Sequence, residues 1–177
     1  MATLIKNKEV VSNDPWHVIA NDAPVTDFSI VSLPRWQAER ETLLPLAQAR
    51  KLGIWLDSIE TVDLIENDYS HFAVIALNFP VFTDGRAYSG ARLLRERYFY
   101  KGEIRAIGDV LIDQLYLMNR IGFDALALRD DQDIELALCS FAPFSFTYQS
   151  DVLETRPLWR RRPASGVETE QKEALPA

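Results

Sequence analysis

Arginines, carboxylates and glycines crowd into one stretch, Phe79 to Asp109, where an apolar strand passes into a helix. Within it, Phe79-Pro-Val-Phe-Thr-Asp-Gly-Arg sets Thr83, Asp84, Gly85 and Arg86 directly before helix-forming residues. Arg105-Ala-Ile-Gly-Asp then puts Asp109 at the end of the next apolar run. Free amides and the positive end of a helix beside a guanidinium suit a small oxyanion or carboxylate. Asp84 or Asp109 could then serve as general base on an anionic substrate held by Arg86. The plainer reading is that Thr83 or Asp84 caps the helix, Gly85 permits a tight turn, and Asp109 caps the helix that follows it. Arg105 lies inside an apolar strand, so it either faces water on an edge or is buried against a carboxylate such as Asp84 or Asp109, because an unpaired buried charge is prohibitive.

These residues act together only if the fold gathers them. Five β-type runs, at about 28–33, 53–57, 72–79, 104–108 and 124–128, alternate with helical patterns. In one helix Ala87, Ala91, Leu94 and Tyr98 form a stripe; in the next Leu111, Leu115, Met118 and Gly122 do so. A basic residue followed by glycine, as in Arg50-Lys-Leu-Gly, Lys101-Gly and Arg120-Ile-Gly, marks each helix-to-strand joint. Units this short imply an α/β fold with a mainly parallel sheet of about five strands, either open and doubly wound or part of a barrel. The carboxyl ends of parallel strands share one edge, which collects Asp57, the 80–86 loop, Gly108-Asp109 and Arg129-Asp130.

Around this core, Thr3 to Val11 and Trp16 to Ala20 flank the turn-rich Ser12-Asn-Asp-Pro and predict an N-terminal hairpin flap. Pro34 opens a helix that Pro45 kinks or divides. A last helix starts at the carboxylates after Asp130, Phe144 to Tyr148 reads as an added edge strand, and 164–177 as a disordered tail. The whole reads as one domain over 1–163, with a hairpin flap (1–20), an α/β core (28–150) and an arginine-rich extension (151–163).

With 177 residues, 47% of them hydrophobic, the chain can bury one sizeable core. A net charge of -7 argues against extended nucleic-acid binding. No run approaches a membrane span and Met1-Ala-Thr-Leu-Ile-Lys does not resemble a secretory leader, so a cytoplasmic protein is expected. His17 and His71 stand apart from other ligand types and read as structural, with no metal site expected; Cys139, in Leu-Ala-Leu-Cys-Ser-Phe, reads as a small buried hydrophobe. No familiar cofactor fingerprint is present, and the cofactor stays unassigned. Arg95 and Arg97 read as a solvated helix face. Arg156-Pro-Leu-Trp-Arg-Arg-Arg (Arg156, Trp159, Arg160, Arg161, Arg162) either docks a partner or folds back on the acidic surface.

Phe79 to Ser89, Ala91-Arg-Leu-Leu-Arg-Glu-Arg-Tyr, Arg105-Ala-Ile-Gly-Asp-Val-Leu-Ile-Asp-Gln, Gly122-Phe-Asp-Ala and the ending Pro157-Leu-Trp-Arg-Arg-Arg resemble the signature of a bacterial family of unknown function. Its members are labelled oxidoreductases of sulfite reduction because their genes lie beside those of assimilatory sulfite reductase. The resemblance implies a role in sulfate assimilation, with sulfite reductase or another enzyme of that process as partner. Six-electron reduction of sulfite needs a sirohaem coupled to an iron–sulfur cluster, whose usual ligands are four cysteine thiolates. The single Cys139 of this chain cannot supply them. The resemblance therefore implies an accessory protein acting beside the reductase, and the strand-end residues, read on their own, suggest that it binds a small anion or the reductase at that edge, with Arg86 and Asp84 as principal contacts and Thr83, Arg105 and Asp109 orienting them.

Overall fold

The computed structural model describes residues 3–144 and 147–161. The chain opens with β1 (Thr3–Lys6), β2 (Glu9–Val11) and β3 (His17–Val18). It then runs through β4 (Ser29–Ser32), α1 (Leu33–Gln48), β5 (Leu52–Leu56), β6 (Val74–Phe79), α2 (Arg86–Glu96), β7 (Glu103–Gly108), α3 (Leu115–Ile121) and β8 (Ala125–Leu128), and ends in α4 (Ile134–Cys139) and α5 (Leu158–Arg161). The five expected strands are present as β4 to β8, but they belong to one eight-stranded sheet of order β2-β1-β8-β7-β6-β5-β4-β3. Those five pair in parallel, each with its successor in sequence. A doubly wound sheet reverses its strand order at a switch point. Here the order never reverses, so crossovers of one hand place every crossover helix on the same face.

That face carries the main core. Val31, Ile54, Leu56, Ile75, Leu77, Ile104, Ala106 and Leu126 of the strands share one cluster with Trp36 and Leu43 of α1, Ala91 and Leu94 of α2, and Leu115 and Met118 of α3. The opposite face has no helix among the described residues. It holds a smaller cluster of Ile30, Val74 and Ala76, against which Trp16, Trp55 and Ile107 pack.

The N-terminal hairpin is placed differently from the expectation. β1 and β2 pair with each other around Asn7 and Lys8, both at positive φ (52° and 69°), a turn that matches strand twist. β3 does not join them; it pairs in parallel with β4 at the far edge of the sheet. Only residues 12–16 link the two edges. Such a link reaches about 20 Å when extended, whereas seven strand spacings in a flat sheet measure about 33 Å. The sheet is therefore curled into a half-barrel, and the link runs across its helix-free side as a strap.

Local chemistry sets the helix ends. Ser32 caps α1 by accepting from the Arg35 amide at 3.2 Å. The helix does kink, but at Glu39 (φ -114°, ψ 19°) rather than at Pro45, which lies inside its second part. Gly122 ends α3 with φ +116°, as expected, but the left-handed residue after α1 is Arg50 and that after α2 is Phe99. Arg95 is no solvated charge. Its guanidinium donates to the carbonyls of Gly122, Tyr100 and Gly102 and to Asp124, pinning the turn after α2 to the start of β7. Arg97 does remain exposed, 3.8 Å from Asp63. Cys139, expected inside, is exposed, because the buried stripe of α4 falls on Ala137. The expected edge strand at 144–148 lies partly, and the expected tail wholly, outside the described residues.

One buried polar contact holds α1 to the segment before β6. Asp68 accepts from the Trp36 indole at 3.1 Å and from Arg40 at 2.9 and 2.6 Å. Hydrogen bonding to Arg40 holds its carboxyl below the usual carboxylate range. A lowered native pKa means stability that is fully present above the unfolded value, about 3.9, and is lost as pH falls through the native one. Asp68→Ala should lower stability by about 1–3 kcal/mol, since it strands the Trp36 N–H. Asp68→Asn should flatten the pH dependence of the urea midpoint below about pH 4.

Candidate functional site

The carboxyl edge of the parallel strands carries the loops identified from sequence, sorted by the fold into separate groups. Leu56 ends β5 and hands over to Asp57 and Ser58. Asp57 accepts from the Ser58 amide at 2.8 Å and from Asn78 of β6 at 3.0 Å, which fixes this loop to the neighbouring strand. The Phe79–Arg86 connection then crosses to α2, whose N-cap is Gly85.

Asp84 and Arg86 form one unit. Arg86 donates Nε to Asp84 Oδ1 at 2.9 Å and Nη2 to Asp84 Oδ2 at 2.6 Å, and Nη2 also reaches Ser58 Oγ at 3.0 Å. The Asp84 carboxylate accepts the Arg86 backbone amide as well, at 3.2 Å, so it occupies the helix N-terminus that sequence offered to an external anion. Its side chain is 9% exposed while that of Arg86 is 59% exposed. Paired with Arg86, Asp84 is held well below the usual carboxylate range. Such a group is a poor proton acceptor near neutral pH. Nη1 of Arg86 makes no hydrogen bond to the described residues, although the Asp57 carboxylate also acts on this guanidinium through its charge.

Beside this unit lies a cavity of ≈ 340 Å³ between the loop after β5 and the first turns of α2. Leu56, Leu77 and Val62 give it a buried apolar floor, Leu93 lines it from an exposed position, and its polar lining holds Ser58 and Arg86 together with the acidic Asp57, Glu60 and Asp63. Gly90 lines it too, where a Cβ would come within 3.3 Å of Val62.

A second group sits farther along the edge. Asp109 does not cap a helix: Oδ2 accepts the Phe82 amide at 2.9 Å and Oδ1 accepts Arg129 at 2.6 Å. It ties the 80–86 loop to the end of β8. Gly108, at φ +94°, makes this approach close, since a Cβ there would lie 2.4 Å from the Phe79 carbonyl. Arg129 also chelates Asp131, whose carboxyl it holds down to about 2. Thr83 is exposed in the same loop, and its hydroxyl makes no hydrogen bond to the described residues.

Arg105 belongs to neither group. It is 5% exposed, on the helix-free face, paired with Asp14 at 2.6 Å and Glu103 at 2.6 Å rather than with Asp84 or Asp109. In the arginine-rich segment, Arg156 pairs with Glu154 of the same segment and Arg161 donates to the Thr147 carbonyl. Arg160 stacks on Trp159, 4.7 Å from the ring centroid, and Trp159 is 61% exposed. Arg162 lies outside the described residues. Among those residues, no three His, Cys, Asp or Glu side chains could share a metal ion.

Sequence reasoning placed Arg86 and Asp84 together but missed Ser58 and the apolar floor. The floor residues come from several elements, and each alone reads as ordinary core. Removing the Arg86 guanidinium takes away the cause of the Asp84 shift. In a ¹³C NMR titration, Asp84 should titrate well below about 3.9 in the parent and move up towards that value in Arg86→Ala.

No curated protein matches the chain. Residues 53–159, which contain the 79–109 stretch, the cavity and Trp159, match the family model described as Bacterial protein of unknown function (DUF934), and the chain belongs to that family.

Proposed function

We propose that this protein is an accessory of assimilatory sulfate reduction that holds a small anion in the strand-end cavity, with Arg86 as its anchor. The observation that carries the reading is the placement of Arg86: Asp84 and Ser58 fix its orientation, Nη1 makes no hydrogen bond to the described residues, and the side chain lines a hollow whose floor is apolar. A charged donor held in place before binding spends little conformational entropy on its ligand. The apolar floor favours an anion with an organic body over a bare inorganic ion. Asp84 serves as the counter-charge that orients Arg86, not as a base. The link to sulfur metabolism rests on the resemblance of the 79–109 and 157–162 motifs, and the accessory role on the single cysteine.

Arg86→Ala should fail to restore growth of a deletion strain on sulfate as sole sulfur source, while Thr83→Ala should restore it. Full complementation by Arg86→Ala would overturn the assignment. A second reading is favoured by one observation, the exposed Trp159 with Arg160 stacked on it: that surface could dock an acidic partner such as the reductase. Deleting residues 156–162 should then abolish co-purification with sulfite reductase while Arg86→Ala leaves it intact.

A further inference from the structure

The strand-end cavity runs along one stripe of α2. Arg86, Ala87, Gly90 and Leu93 line it from the helix, a span of about 10 Å at a rise of about 1.5 Å per residue. The facing wall, residues 57–63, lies alongside in the same sense: Ser58 Oγ is 3.0 Å from Arg86 Nη2, and a Cβ on Gly90 would come within 3.3 Å of Val62. Charge is therefore gathered at one end. Asp57 precedes Ser58, and Glu60 reaches back to accept the Asp57 amide at 2.7 Å, so both carboxylates share the Arg86 end while Leu56, Leu77 and Val62 floor the remainder. Asp63, the third carboxylate of the lining, is exposed and already accepts the Tyr98 hydroxyl at 2.7 Å.

Asp57 acts on Arg86 through its charge, yet the ion pair of Arg86 is with Asp84. Neither Asp57 nor Glu60 meets a cation at ion-pair distance among the described residues. Asp57 takes both of its hydrogen bonds, from the Ser58 amide and from Asn78, on Oδ1, and Glu60 takes the Asp57 amide on Oε2. One oxygen of each carboxylate is thus left without a donor among those residues. A bare anion at Arg86 would lie beside both negative charges and be repelled by them, and in this half-buried setting solvent screens them only in part. A ligand that carries an ammonium next to its carboxylate is attracted on both sides. At ≈ 340 Å³ the cavity is at the small end of ligand sites, which suits one small molecule with an apolar body.

Resting on the reading of Arg86 as an anion anchor, we infer that the cavity takes an α-amino acid with an apolar side chain: the carboxylate pairs with Arg86, the ammonium with Asp57 and Glu60, and the side chain lies over Leu56, Leu77 and Val62. Isothermal titration calorimetry near neutral pH compares L-norleucine with hexanoate, which lacks only the ammonium, and with pentylamine, which lacks only the carboxylate. Norleucine should bind about tenfold or more tightly than either. In the double variant Asp57→Asn/Glu60→Gln, which keeps an acceptor oxygen on both side chains, norleucine should fall to the affinity of hexanoate while far-UV circular dichroism is unchanged. Arg86→Ala should lose hexanoate and leave norleucine no tighter than pentylamine. Hexanoate binding as tightly as norleucine in the parent, with both lost in Arg86→Ala, refutes the amino-acid class and leaves Arg86 standing as an anion anchor. No saturable heat with norleucine by about 10 mM refutes the class as well. Binding of norleucine and hexanoate that Arg86→Ala leaves unchanged overturns the anchor itself, and this inference with it. The three-ligand comparison uses the unaltered protein, so it decides the matter even if the double variant fails to fold.

Discussion

Five residues joining opposite edges of an eight-stranded sheet impose more on this molecule than any single contact. With residues 12–16 as the bridge, the sheet must bend until its outer strands approach one another. Curvature then divides the protein into two environments. The convex side takes the helices that pack on the sheet and the large apolar core, and the concave side is left to a thin cluster, a buried arginine and the strap itself. Because the strand order never reverses, no crevice opens at a switch point, and the strand-end hollow forms instead between a loop and the flank of α2.

Electrostatics along the strand-end edge follow one rule: each arginine is matched to carboxylates close to it in sequence or across one loop. Arg86 is matched to Asp84, and Arg129 to Asp109 and Asp131. Exposed pairs of this kind add little to stability. Their effect is orientation, because a bidentate grip fixes the plane of the guanidinium and so the direction of the N–H groups left over. Of these two arginines, Arg86 is the one that borders the apolar hollow.

Much of the parallel core was legible in sequence because β5, β6 and β8 are near-continuous apolar runs. What escaped was non-local. Nothing near Arg105 points to Asp14, 91 residues earlier in the chain. Arg95 reads as solvated because its acceptors are carbonyls made available only when the chain turns back after α2. The hairpin was misplaced because its turn is Asn7-Lys8, without the glycine or proline that usually announces one, so that the louder Ser12-Asn-Asp-Pro break drew the turn to itself. Arg86 and Asp84 were found since they are close in sequence; Ser58 was not, since only β5 and β6 lying side by side brings it near.

The pairing of β1 with β8 has a temporal consequence. Thr3 to Lys6 pair with Ala125 to Leu128, so β1 is completed only by a strand made about 120 residues later. Until then it has only β2 as neighbour, and an isolated two-stranded hairpin is at best marginal in water. The five consecutive parallel strands, each adjacent to the next in sequence, carry the shorter loop closures and the lower entropic barriers. The concave face is thus closed off by the strand pairing of greatest sequence separation in the sheet.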